Sequence, residues 1–77
     1  MRQGTLFYNA ELDRMDIAFS DGYYNGIHCG ECLDMRIYGA WVPVRMEYDH
    51  YRRTWYLIGR GNSILDMPLE GRAVRIK

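Results

Sequence analysis

Seventy-seven residues, nearly half of them apolar and eleven aromatic, make one small domain whose single core is only marginally sufficient. That composition argues against disorder, and the absence of any long apolar run excludes a membrane span. Formal net charge is zero, so no global attraction to nucleic acid or anionic lipid follows, and Met1-Arg2-Gln3-Gly4 lacks the features of a signal peptide.

Gly4 to Tyr8 reads as a first strand, Asn9 to Arg14 as a polar turn around Leu12, and Met15 to Phe19 as a second strand antiparallel to the first. Ser20-Asp21-Gly22 and Asn25-Gly26 are turn signals, because Asn-Gly readily takes positive φ. The tyrosines between them, Tyr23 and Tyr24, are expected to edge the sheet.

Leu33 to Gly59 organises the rest. Leu33, Met35 and Ile37 alternate with Asp34, Arg36 and Tyr38, and Val42, Val44, Met46 and Tyr48 alternate with Trp41, Pro43, Arg45 and Glu47, the period-two pattern of half-buried strands. Gly39-Ala40 fits a type II′ turn. The resulting register sets Ile37 opposite Val42, Met35 opposite Val44 and Leu33 opposite Met46 on the inner face. On the outer face it sets Tyr38 beside Trp41, Arg36 beside Pro43 and Asp34 beside Arg45.

A loop of His50-Tyr51-Arg52-Arg53 turns Trp55 and Leu57 inward, whereas a one-residue slip buries Tyr56 and Ile58; the first places the larger indole inside. After Gly59-Arg60-Gly61, Asn62 or Ser63 is placed to cap one helical turn through Ile64, Leu65 and Met67, stopped by Pro68. Gly71 then turns the chain into Arg72 to Ile76. Five to six short antiparallel strands, with one helical turn before the last, point to an all-β fold: a small half-open SH3-like barrel over residues 1–77, with an OB-like barrel as the alternative.

Residues 1–50 carry four basic and eight acidic side chains and residues 51–77 carry six and two, an asymmetry that complementary pairing across strands accounts for. Nine of the ten basic residues are arginine, suited to bidentate pairing and aromatic stacking.

The segment His28-Cys29-Gly30-Glu31-Cys32 has Cys-x-x-Cys spacing, which is half of a structural zinc site. His28 and His50 complete it only if the fold, or a second chain, brings them in. It lacks the βαβ setting of a thioredoxin-like redox pair, so two partly buried reduced cysteines are the plainer expectation. Gly59-Arg60-Gly61-Asn62 is an ordinary turn without a Walker ending. The scattered carboxylates suggest no acid/base pair.

Arg36, Tyr38, Trp41, Pro43 and Arg45 form the strongest functional lead, since Trp, Tyr and Arg together on a rigid sheet are the material of interface hot spots. The competing expectation is that the terminal strands or residues 62–69 simply cover Trp41.

Several stretches, Leu6-Phe7-Tyr8-Asn9, Arg14-Met15-Asp16-Ile17, Asp21-Gly22, His28-Cys29-Gly30, Trp41-Val42-Pro43-Val44-Arg45-Met46-Glu47 and Trp55-Tyr56-Leu57-Ile58-Gly59, together resemble a family of small proteins of unknown function. That family is found mainly in Gram-positive gut bacteria and their integrative or conjugative elements. The resemblance spans nearly the whole chain, brings no catalytic residues, and implies a cytoplasmic bacterial protein.

Three functions follow as expectations. The first is a non-enzymatic module, without cofactor or membrane association, that docks a protein partner or a second copy of itself on the aromatic-arginine face. The second is a nucleic-acid accessory protein of a mobile element, setting Arg52, Arg53, Arg60, Arg72 and Arg75 on phosphates. The third is a small zinc or redox protein using Cys29 and Cys32, with His28 and His50.

Overall fold

A computed structural model describes all 77 residues. The strands are β1 (Arg2–Asn9), β2 (Arg14–Phe19), β3 (Gly22–Tyr23), β4 (Cys32–Ile37), β5 (Ala40–Asp49), β6 (Thr54–Ile58), β7 (Ile64–Leu65) and β8 (Ala73–Ile76), with one 3-10 turn at Arg60–Asn62. All pair antiparallel in a single sheet ordered β3-β2-β1-β8-β4-β5-β6-β7. The end strands β3 and β7 are not joined, so this is a half-open barrel with six substantial strands and two short edges.

The alternation in β4 and β5 works as expected. Leu33, Met35, Val44 and Met46 are buried, and with Leu6, Met15, Ile17, Ile27, Leu57 and Val74 they form the core. Three of these ten are methionines, whose flexible thioethers fill an irregular interior.

The β4–β5 register differs from the expected one by two residues: Met35 lies opposite Val42, Leu33 opposite Val44 and Arg36 opposite Trp41. Registers two residues apart present the same faces, so alternation does not separate them and the turn decides. The two-residue loop is Tyr38-Gly39, with φ of 48° and 79°, a type I′ geometry whose twist matches the strands. Tyr38 therefore does not pair with Trp41; it stands fully exposed at the hairpin tip. Pro43 sits beyond the end of β6, which stops at Ile58 opposite Arg45, so β5 has a partner on one side only there and tolerates a residue without an N–H.

The β5–β6 hairpin has the expected four-residue loop, closed by Asp49 opposite Thr54, with Leu57 opposite Met46 and Trp55 opposite Tyr48. The helical turn expected over residues 62–67 is absent. Gly61 and Asn62 take left-handed φ of 69° and 61°, which ends the short turn at Arg60–Asn62 and reverses the chain. The Gly59 N–H then donates to the Ser63 carbonyl at 2.8 Å, and Ile64 and Leu65 return as a strand on β6.

Two connections join the N-terminal hairpin to the later meander. One is β8, which pairs with β1 on one side and β4 on the other. The other is the crossing segment 24–31, whose Tyr24 and Ile27 N–H groups donate to Ile17 and Met15 of β2 before the chain reaches β5.

The crossing segment is fixed by a carboxylate that alternation does not reveal, because Met15, Asp16 and Ile17 are all buried in succession. Asp16, with no exposed surface, accepts hydrogen bonds from the Gly26 N–H at 2.8 Å, the Ile17 N–H at 2.8 Å and the Asn9 side-chain amide at 3.0 Å. Asn9 in turn caps the β1–β2 turn by accepting from the Glu11 N–H at 3.1 Å.

Two stability predictions follow. Asp16→Ala strands these buried donors and is expected to lower unfolding free energy by about 3 kcal/mol, measured by urea denaturation, with Asn9→Ala costing less. Gly4 lies where β1 presses on β2: an added Cβ would sit 2.5 Å from the Ala18 carbonyl oxygen and 2.7 Å from Ile17 Cγ2. Gly4→Ala is therefore expected to cost roughly 2 kcal/mol in the same assay, and an unchanged midpoint would contradict that close approach.

Candidate functional site

The outer faces of β8, β4 and β5 carry a cross-strand row of Arg75, Asp34 and Pro43, with Arg36 and Trp41 as the next pair. The odd residues of β5 point out of the barrel, which places Trp41 on the solvent side, half-buried but not packed on the core. Its ring is met by two guanidinium groups, Arg75 at 4.6 Å and Arg36 at 5.3 Å from the centroid, both within cation–π range.

Arg75 is held in place by an ion pair, its Nε donating to Asp34 Oδ2 at 3.0 Å. Arg45, expected beside Asp34, instead pairs along its own strand with Glu47 at 2.7 Å. Asp34 is free to take Arg75 because the two-residue register shift puts Pro43 rather than Arg45 across from it. Arg36 makes no ion pair. The terminal strand thus covers part of Trp41, through one arginine, and leaves the remaining patch open.

Arg36, Trp41, Pro43 and Arg45 are therefore brought onto one face as the sequence suggests, and Tyr38 is not. Arg75, assigned by sequence to phosphate binding, belongs to this face as well. No sequence signal pointed there, because the contact depends on β8 pairing with β4 across some forty positions of chain. Two hollows flank Pro43. One of about 460 Å³ is lined by Asp34, Arg75 and Lys77, the other of about 220 Å³ by Arg45 and Arg60, and Cys32 borders both.

The other arginines are dispersed in role. Arg52 and Arg53 are exposed in the β5–β6 loop, and Arg60 is exposed in the 3-10 turn. Arg72 donates through Nε to the Pro68 carbonyl at 3.1 Å. With Arg75 committed to Asp34 and Trp41, the five do not make up the set of free cations that a phosphate-binding stripe requires.

No three His, Cys, Asp or Glu side chains converge in metal-binding geometry, so His28, Cys29, Cys32 and His50 are not gathered into one site. His50 packs edge-on against Tyr48, 5.0 Å between centroids, and His28 Nδ1 lies 3.0 Å from the Arg14 guanidinium. Both cysteines are free and exposed, where the sequence suggested partial burial: residues 28–30 lie on the surface and β4 begins with Cys32 facing out.

Glu31 braces this turn, accepting from the His28 N–H at 2.8 Å and from the Tyr24 hydroxyl. The Tyr24 phenol is raised above its ordinary value, first by that hydrogen bond to Glu31, then by burial and by repulsion from the Glu31 charge. Stability from a raised phenol is fully present below the unfolded value of about 10 and is lost as pH rises through the higher folded value. Thermal melts of wild type and Tyr24→Phe are therefore expected to differ at neutral pH and to converge at strongly alkaline pH, where the wild type loses the hydrogen bond.

No protein of curated function matches the chain. A crystal structure of a protein from Ruminococcus gnavus is 44% identical, covering 97% of this chain and 100% of that one with a TM-score of 0.81. The model of a domain of unknown function, DUF5348, matches residues 4–76. Spanning almost its whole length, that match makes this chain a member of the DUF5348 family.

Proposed function

We propose that the chain is a non-enzymatic binding module that docks a protein partner on the outer face of β4, β5 and β8, with Trp41 at the centre. The observation that carries this reading is the arrangement around Trp41: an indole on the solvent side of the barrel, flanked by Arg36 and Arg75, with Arg75 locked by Asp34. Such a patch is rigid before any partner arrives, which removes much of the ordering cost of association. Trp and Arg are also the side chains that most often dominate binding energy.

Arg36 is the cation of the patch that no carboxylate satisfies. The partner chemistry that fits is an acidic side chain beside an apolar surface that closes over the indole. Two exposed, unpaired thiols suit a reducing compartment, and we place the protein in the bacterial cytoplasm.

The test is affinity purification from a native-type host, with and without nuclease, using wild type beside Trp41→Ala and Arg36→Ala variants whose circular dichroism is unchanged. Sedimentation of the pure protein checks for self-association. A protein partner retained after nuclease and lost by at least tenfold in both variants supports the reading. A partner lost on nuclease treatment, or one bound equally well by both variants, removes it.

A further inference from the structure

Cys29 and Cys32 are carried on a turn that is built into the barrel. The Glu31 N–H donates to the His28 carbonyl at 3.1 Å, and Gly30 takes a left-handed φ of 86° at the reversal. The turn is fastened to the core strand β5: the Gly30 N–H donates to the Met46 carbonyl at 2.8 Å, and the Met46 N–H to the Glu31 carbonyl at 2.9 Å. Cys32 folds back over it, with Sγ 4.0 Å from the Gly30 carbonyl oxygen. The space above Gly30 is open, since a Cβ added there would meet nothing within 4 Å. Cys32 also borders the two hollows beside Pro43, and each contains a cation without a carboxylate partner, Lys77 in one and Arg60 in the other.

We propose that Cys29 and Cys32 form a thiol–disulfide exchange site whose co-reactant is a low-molecular-weight disulfide bearing carboxylates. Exposure admits the co-reactant, and Lys77 and Arg60 draw its carboxylates to Cys32. The Cys32 thiolate attacks one sulfur, the external S–S bond breaks, and the departing half takes up the proton that Cys32 released. The Cys29 thiolate then attacks the Cys32 sulfur of the mixed disulfide, and the second half leaves with the proton from Cys29. One disulfide now links Cys29 to Cys32. Two electrons have passed to the co-reactant, which ends as two thiols, so no further oxidant is needed. The site does not depend on the docking reading.

The test uses the folded chain, purified reduced and without chelator, incubated with oxidised glutathione, alkylated and weighed intact. The wild type is expected to lose both thiols and two hydrogens, form no disulfide-linked dimer, and recover both thiols with dithiothreitol. Cys29→Ser is expected to stop at the glutathione adduct. A Lys77→Ala/Arg60→Ala variant is expected to react several-fold more slowly with oxidised glutathione but not with uncharged hydroxyethyl disulfide. Wild type that keeps its thiols, holds a stable adduct, forms disulfide-linked dimers, or carries a metal that blocks alkylation would overturn the proposal. Equal slowing with both disulfides would overturn its anionic co-reactant.

Discussion

Four residues at the end of the chain hold the barrel together. β8 is the strand that lies between the N-terminal hairpin and the β4–β7 meander, and Val74 at its centre is fully buried, opposite Gly4 on one side and Met35 on the other. Gly4, the β1 residue opposite Val74, has no room for a side chain, because β2 closes on it from the other side. Because β1 and β8 lie at opposite ends of the sequence, this pairing closes the longest loop in the chain. Pairings of that kind are the slow part of folding.

The same strand builds the surface. Successive residues of a strand point to opposite faces, so burying Val74 turns Arg75 outward, where Asp34 fixes it against Trp41. Core and candidate site are coupled through adjacent residues. A change that loosened Val74 would also move one of the two cations at the indole.

How far this was legible depends on the range of the interaction. The faces of β4, β5 and β6, the Leu57 register and the first hairpin follow from period-two alternation and local turn residues, and these are correct. The β4–β5 pairing was displaced by two residues because both registers satisfy alternation, and only the left-handed conformation of Tyr38 and Gly39 separates them. Ile64 and Leu65 carry apolar spacing that suits a helical turn or a strand equally, and the reversal at Gly61 and Asn62 settles it. Asp16 left no trace, because its partners Gly26 and Asn9 are placed by the fold around it. The Trp41 patch was half legible: Arg36, Pro43 and Arg45 come from neighbouring strands, whereas Arg75 arrives from the far end of the chain.

The two free edges of the sheet are unusually small. β3 and β7 have two residues each, the outer side of β2 is occupied by Tyr24 and Ile27, and Pro68 follows β7 closely in sequence. An exposed strand templates fibril growth when it offers a long row of unpaired amides; β3 and β7 are too short to offer one, and the one-sided stretch of β5 ahead of Arg45 is interrupted by Pro43, which has no N–H. With no net charge to hold copies apart, a protein this small limits edge-to-edge pairing through the shortness of its outermost strands.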